Sequence, residues 1–145
     1  MSGISLKIKR IARVLVLFFL IKYSASFKVA VAGASGYIGR CVVRELVNRG
    51  IPTVSIVRSL DLPTITQNYL IGSNIVETDI LNIDSSNALF ESHRPNVAIN
   101  CLASRVGVAR DAWAVDYNGG LNLLNSLEKY NDNGKNHYVM LSAFW

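Results

Sequence analysis

Apolar residues along this chain keep two rhythms in turn. Short runs rich in β-branched and small apolar residues, at Lys28–Ala32, Thr53–Val57, Asn74–Glu77, Val97–Leu102 and His137–Ser142, read as strands. Between them the spacing turns helical. Ile38, Val42, Val43, Leu46 and Val47 mark one face of a helix expected over Tyr37–Arg49, which should stop at Gly50 before Pro52. A second helix is expected over Ser85–His93, with Leu89 and Phe90 inward. A long third one spans Asp111–Tyr130, with Leu121, Leu124 and Leu127 on a common side, and ends at Asn133-Gly134. The stretch around Pro63 reads as a polar loop. Val97–Leu102 is taken as apolar throughout, as in a strand covered on both faces. Strand and helix in regular alternation predict an α/β chain, with right-handed crossovers winding a parallel sheet in both directions. Gly119 and Gly120 fall inside the long helix, where each costs roughly 1 kcal/mol relative to alanine. Close packing on the sheet is the expected compensation.

The join between the first strand and first helix, Phe27–Gly39, places Gly33, Gly36 and Gly39 three residues apart, with Ala34, Ser35, Tyr37 and Ile38 between them. A strand that stops at such a turn and restarts as a helix aims backbone N–H groups and the positive helix end at one spot. A pyrophosphate suits that spot, in a Rossmann-type sheet binding a dinucleotide, although a plain glycine turn has the same letters. In such sheets an acid about 20 residues further on, at the end of the second strand, serves the ribose of NAD. Arg58 stands there instead, and a guanidinium pairs with the 2′-phosphate of NADPH. A solvated strand-end arginine is the alternative, and Asp61 is a rival ribose partner. Asp79 and Ile80, after the third strand, suit the adenine, or Asp79 simply caps a turn. Cys101, Leu102 and Ala103 end the fourth strand, where small side chains leave room for the nicotinamide ribose. Ser142 ends the fifth, beside the nicotinamide or as a plain polar strand end.

With 145 residues, half hydrophobic and 17% charged, the chain is neither disordered nor a coiled coil. Its net charge of +5 is concentrated at one end: residues 1–28 hold six basic residues and no acid, leaving nine basic against ten acidic residues beyond. The remaining domain, 27–145, lacks the basic face that nucleic acid requires, so no nucleic-acid partner is expected. Residues 1–26 read as a leader: a basic stretch to Arg13, an apolar run Val14–Ile21, then Ser24, Ala25 and Ser26. Eight apolar residues fall short of the about 20 that span a bilayer. A removable signal that touches a membrane in transit is expected, with an amphiphilic extension or membrane-surface anchor as the alternatives. Ser-Ala-Ser-Phe resembles the junction of plastid leaders. Cys41 and Cys101 are expected as buried free thiols, and with His93 and His137 they offer no metal-ligand spacing.

These motifs resemble the atypical and extended short-chain dehydrogenase/reductases. Within them, Cys101-Leu-Ala-Ser-Arg105 followed by Asp111-Ala-Trp113-Ala-Val-Asp116-Tyr117-Asn118, with Leu141-Ser142-Ala143, looks like the divinyl chlorophyllide 8-vinyl reductases. That resemblance covers about residues 28–143. It implies an NADPH-dependent reduction of an 8-vinyl group to ethyl, a tetrapyrrole substrate and a plastid address. It also implies that the chain is the coenzyme-binding part, truncated after the fifth strand and inactive in isolation. The glycine run of that family after Arg105 is shortened here to Val106-Gly107-Val108. No Tyr-x-x-x-Lys occurs, so no catalytic proton donor is named. The alternative class is a nonenzymatic NmrA-like NADP-binding module that senses redox state, or an inactive truncated product. Trp113 and Tyr117 are expected in the core.

Overall fold

In the first strand every side chain is buried. β1 (Val29–Ala32) sits at the centre of a five-stranded sheet, in a computed structural model that describes residues 27–104, 108–130 and 135–141. The strands β2 (Thr53–Val57), β3 (Asn74–Glu77), β4 (Val97–Asn100) and β5 (His137–Met140) are all parallel to it, in the order β3-β2-β1-β4-β5. Val29 pairs with Thr53 on one side and with Val97 on the other. The expected parallel α/β sheet of Rossmann type is therefore the observed fold.

Alternation along β1 divides the core. Val29 and Val31 pack with Val43 of α1 (Tyr37–Asn48) and Leu70 of α2 (Thr64–Leu70) on one face. Ala30 and Ala32 pack with Leu89 and Phe90 of α3 (Ile83–His93), and with Leu123 and Leu127 of α5 (Gly119–Lys129), on the other. Small residues on the second face let α5 approach closely. A Cβ on Gly120 would lie 2.8 Å from Asn100 Nδ2, and one on Gly119 would lie 3.0 Å from a methyl of Leu102. The close packing expected of these glycines is present.

Several boundaries move. The loop around Pro63 contains α2, which Pro63 precedes at a position where its missing N–H costs nothing, with Thr66 and Leu70 buried beneath. α3 begins at Ile83 rather than Ser85, because the Asn82 side chain accepts from the N–H groups of Asp84 and Ser85. The long helix has three parts: α4 (Ala109–Ala112), a π-helical segment Trp113–Asn118, and α5. β4 ends at Asn100, two residues early, and β5 at Met140; Ser142 lies outside the described residues.

Side-chain expectations also need correction. Ile38 is 47% and Leu121 41% exposed, whereas Gly120, Leu123 and Leu127 form the buried stripe of α5. Cys41 is exposed on α1, not buried, while Cys101 is half-buried; both are free thiols. Trp113 and Tyr117 are 63% and 53% exposed, so neither belongs to the core.

Candidate functional site

Among the described residues, the carboxyl ends of the strands bring together the turns on which the sequence motifs fall. Gly33 leaves β1 with φ +74°, a conformation that a side chain opposes, and a Cβ there would lie 2.6 Å from the Cys101 carbonyl oxygen. The turn therefore lies directly against the exit of β4. Gly36 donates its N–H to the Gly33 carbonyl at 2.9 Å and becomes the N-cap of α1. Gly39 faces back onto the turn, where a Cβ would collide with the Gly33 carbonyl. Ala34 is fully buried, its N–H bonded to Ile56 O at 3.2 Å, and Ser35 is partly buried. Tyr37 is 78% exposed and Ile38 lies beside it on the first turn.

α1 starts with no side-chain cap and no acid in its first turn. Its first N–H groups have no intrahelical acceptor by construction, which leaves them and the helix dipole for an anion. This is a cradle that side chains on Gly33 or Gly39 would destroy.

Around it stand the other predicted residues. Arg58 is exposed just past β2 and forms no hydrogen bond or ion pair among the described residues. Its loop is fixed nearby, because the Leu60 N–H donates to Glu77 at the end of β3 at 3.0 Å. The Asp61 backbone N–H is held by Ser59 Oγ, and its side chain is exposed. Asp79 Oδ1 accepts the Leu81 N–H at 3.0 Å, so one of its oxygens is used by the turn. Ile80 is 4% exposed, packs into the core, and its carbonyl accepts from Asn122 at 3.0 Å. Leu102 is half-buried against the core and Ala103 is exposed. Burial pushes the Cys101 thiol pKa above its ordinary value, which keeps it protonated and unreactive near neutrality.

The sequence reading missed Asn100. This buried amide donates to the Tyr138 hydroxyl at 2.9 Å and accepts the Leu102 N–H at 2.9 Å, while Tyr138 donates to the Gly120 carbonyl at 3.1 Å. One polar side chain thus ties β4, β5, α5 and the exit loop together. Tyr138 has its pKa raised by burial, partly offset by the Asn100 hydrogen bond. Also missed were Arg40, whose guanidinium lies over the rings of Tyr37 and Tyr69 at 5.3 and 5.2 Å, and Asp116, which accepts the Ser104 N–H at 2.8 Å.

A model of the NAD dependent epimerase/dehydratase family matches residues 29–143. The chain belongs to that family. Two curated proteins similar to this family member are divinyl chlorophyllide a 8-vinyl-reductases, both designated chloroplastic. That of Oryza sativa subsp. indica is 38% identical over 122 residues, covering 79% of this chain and 29% of the relative. That of Arabidopsis thaliana is 32% identical over 130 residues, covering 84% and 30%. The chain thus spans about three tenths of the length of these relatives. Among solved structures, yeast methylglyoxal/isovaleraldehyde reductase Gre2 complexed with NADPH superposes with a TM-score of 0.69 at 20% identity, over 81% of this chain and 37% of that one. The NAD+ complex of WbmH from Bordetella bronchiseptica gives 0.60 at 22% identity, over 72% and 36%. At that identity the likeness establishes the fold.

Proposed function

We propose that this chain holds NADPH for the reduction of the 8-vinyl group of a divinyl chlorophyllide-type tetrapyrrole to ethyl, in a plastid. The observation that carries the coenzyme half is the uncapped start of α1 over a turn closed to side chains at Gly33 and Gly39. The substrate half is supported by similarity to the two reductases, whose names state that substrate.

NADPH, when bound, supplies the hydride. The chain's own work is binding and orientation. First-turn N–H groups of α1 would take the diphosphate, and Arg58, whose side chain has no partner among the described residues, would pair with the 2′-phosphate. Asp79, with one oxygen used by its turn, has the other for the adenine amino group, and Ile80 lends an apolar edge. Cys101, Leu102 and Ala103 would leave a low wall at the β4 exit beside the nicotinamide ribose, and Ser142, outside the described residues, is proposed as a further contact on sequence grounds alone. Asn100 holds that wall in place from below.

Titration of the chain with both reduced coenzymes tests the first half. NADPH should bind at least about tenfold more tightly than NADH, the worth of one charge-assisted contact, and Arg58→Ala should abolish the difference. Equal wild-type affinities would remove Arg58 from the argument. For the second half, the chain grafted in place of the matching part of the Oryza sativa reductase should restore ethyl pigment in a host that accumulates 8-vinyl pigment, whereas the 145-residue chain alone should not. A nonenzymatic redox-sensing module would bind NADPH and leave the pigment unchanged in the graft as well.

A further inference from the structure

On the π-helical segment, Trp113 and Tyr117 stack on each other with ring centroids 4.5 Å apart and planes 24° apart, although both are mostly exposed. A stacked aromatic pair left in water forgoes the burial that ordinarily stabilises it. Its placement is fixed. Asp116, between the two rings in sequence, accepts the Ser104 N–H at 2.8 Å, and Ser104 directly follows the β4 exit at Cys101–Ala103. The pair is therefore pinned beside the proposed nicotinamide wall, on a π segment, a winding that recurs at functional sites. One turn earlier, Arg110 shares the helix face of Trp113 at i, i+3. Its side chain is exposed and forms no hydrogen bond or ion pair among the described residues.

We infer that Trp113 and Tyr117 form a stacking platform for a planar macrocycle and that Arg110 receives an acidic side chain of that macrocycle. This rests on the tetrapyrrole reading proposed above and gives the substrate a place on this chain. A flat conjugated ring has the area to cover an exposed aromatic pair. A propionate at its rim has the charge that Arg110 lacks.

The probe is a zinc chlorin bearing one free propionic acid, alongside its methyl ester, with binding to the 145-residue chain read from the Soret shift and NADPH binding measured in parallel. Wild type should bind the acid. Trp113→Leu should weaken it about tenfold and Tyr117→Leu by somewhat less, Trp113→Phe should retain most of it, and NADPH affinity should stay unchanged in all three. Arg110→Gln should weaken the acid several-fold and leave the ester alone. Unaltered chlorin binding by Trp113→Leu would overturn the platform. So would a wild-type chain that takes NADPH but no chlorin, or one that self-associates through this face, with Trp113→Leu restoring the monomer in sedimentation. Ethyl pigment restored in the host by the graft carrying Trp113→Leu as well as by the unaltered graft would sink the platform and spare the proposed reaction. Failure of the chain to bind NADPH, or of the unaltered graft to restore ethyl pigment, would fall on the proposed function instead.

Discussion

The turn after β1 and the segment after β4 lie at the same edge of the sheet, yet they are built in opposite ways. The first is backbone against backbone: Gly33 lies under the Cys101 carbonyl, Gly39 lies on Gly33, and no space remains for a side chain. The second is side chain against side chain, with two large rings stacked in the open and held by one hydrogen bond from Ser104. A surface made from main-chain groups fits what every dinucleotide shares. One made from exposed aromatics fits whatever distinguishes one substrate from another. This is how a single fold hosts many reactions.

Breaking the first region should cost most. Gly39→Ala drives a methyl into the Gly33 carbonyl, and a loss of about 3 kcal/mol in urea denaturation is expected, together with loss of NADPH binding. Asn100→Ala attacks the brace between the two regions and should cost about 2 kcal/mol, because Leu102 N–H and Tyr138 both lose a buried partner. Trp113→Leu should change stability by no more than about 0.5 kcal/mol, as expected of a side chain already in water. A large loss there would erase the contrast. Iodoacetamide should alkylate exposed Cys41 well before Cys101, whose thiol burial holds protonated, as peptide mapping would show.

The smallest effect concerns pH. Burial, and then the neighbouring Lys28, holds the His93 pKa below the ordinary imidazole value. The unfolded chain takes up a proton near pH 6.5 that the folded chain resists, so stability is intact above about that pH and falls as acid carries the protein down to the folded-state value. Urea midpoints measured between about pH 7.5 and 5 should fall less steeply for His93→Gln. An unchanged slope would exclude His93 as the source.

What was legible in the sequence follows from how much of each element is buried. β1, β2 and β4 are covered on both faces, so their apolar runs and their parallel pairing could be read directly. α2 escaped because seven residues give too little periodicity, and because Pro63 reads as a breaker when it stands ahead of the first turn. On α5 two stripes fit the same spacing, Leu121-Leu124 and Leu123-Leu127. Gly120, three residues before Leu123, was the signal that decides it, since the helix touches the sheet at its glycine. Trp113 and Tyr117 could not be placed by composition, since aromatic residues fill cores more often than they face water, and the π winding changes the phase of the face they share. Asn100 was hidden because a buried amide in an apolar strand is explained only by partners distant in sequence, here Tyr138 and the Gly120 carbonyl.

The strand order has a consequence for how the molecule is made. β1 leaves the ribosome ahead of the other four described strands but gains its second neighbour only when Val97 pairs with Val29. The early half of the chain must wait, its central valines unprotected, for a partner synthesised much later. Nascent chains stalled before β4 has emerged should be cleaved readily by protease, and resistance should arrive abruptly once that strand is free. A protected fragment at the earlier stall would mean that β1 and β2 close on α1 unaided.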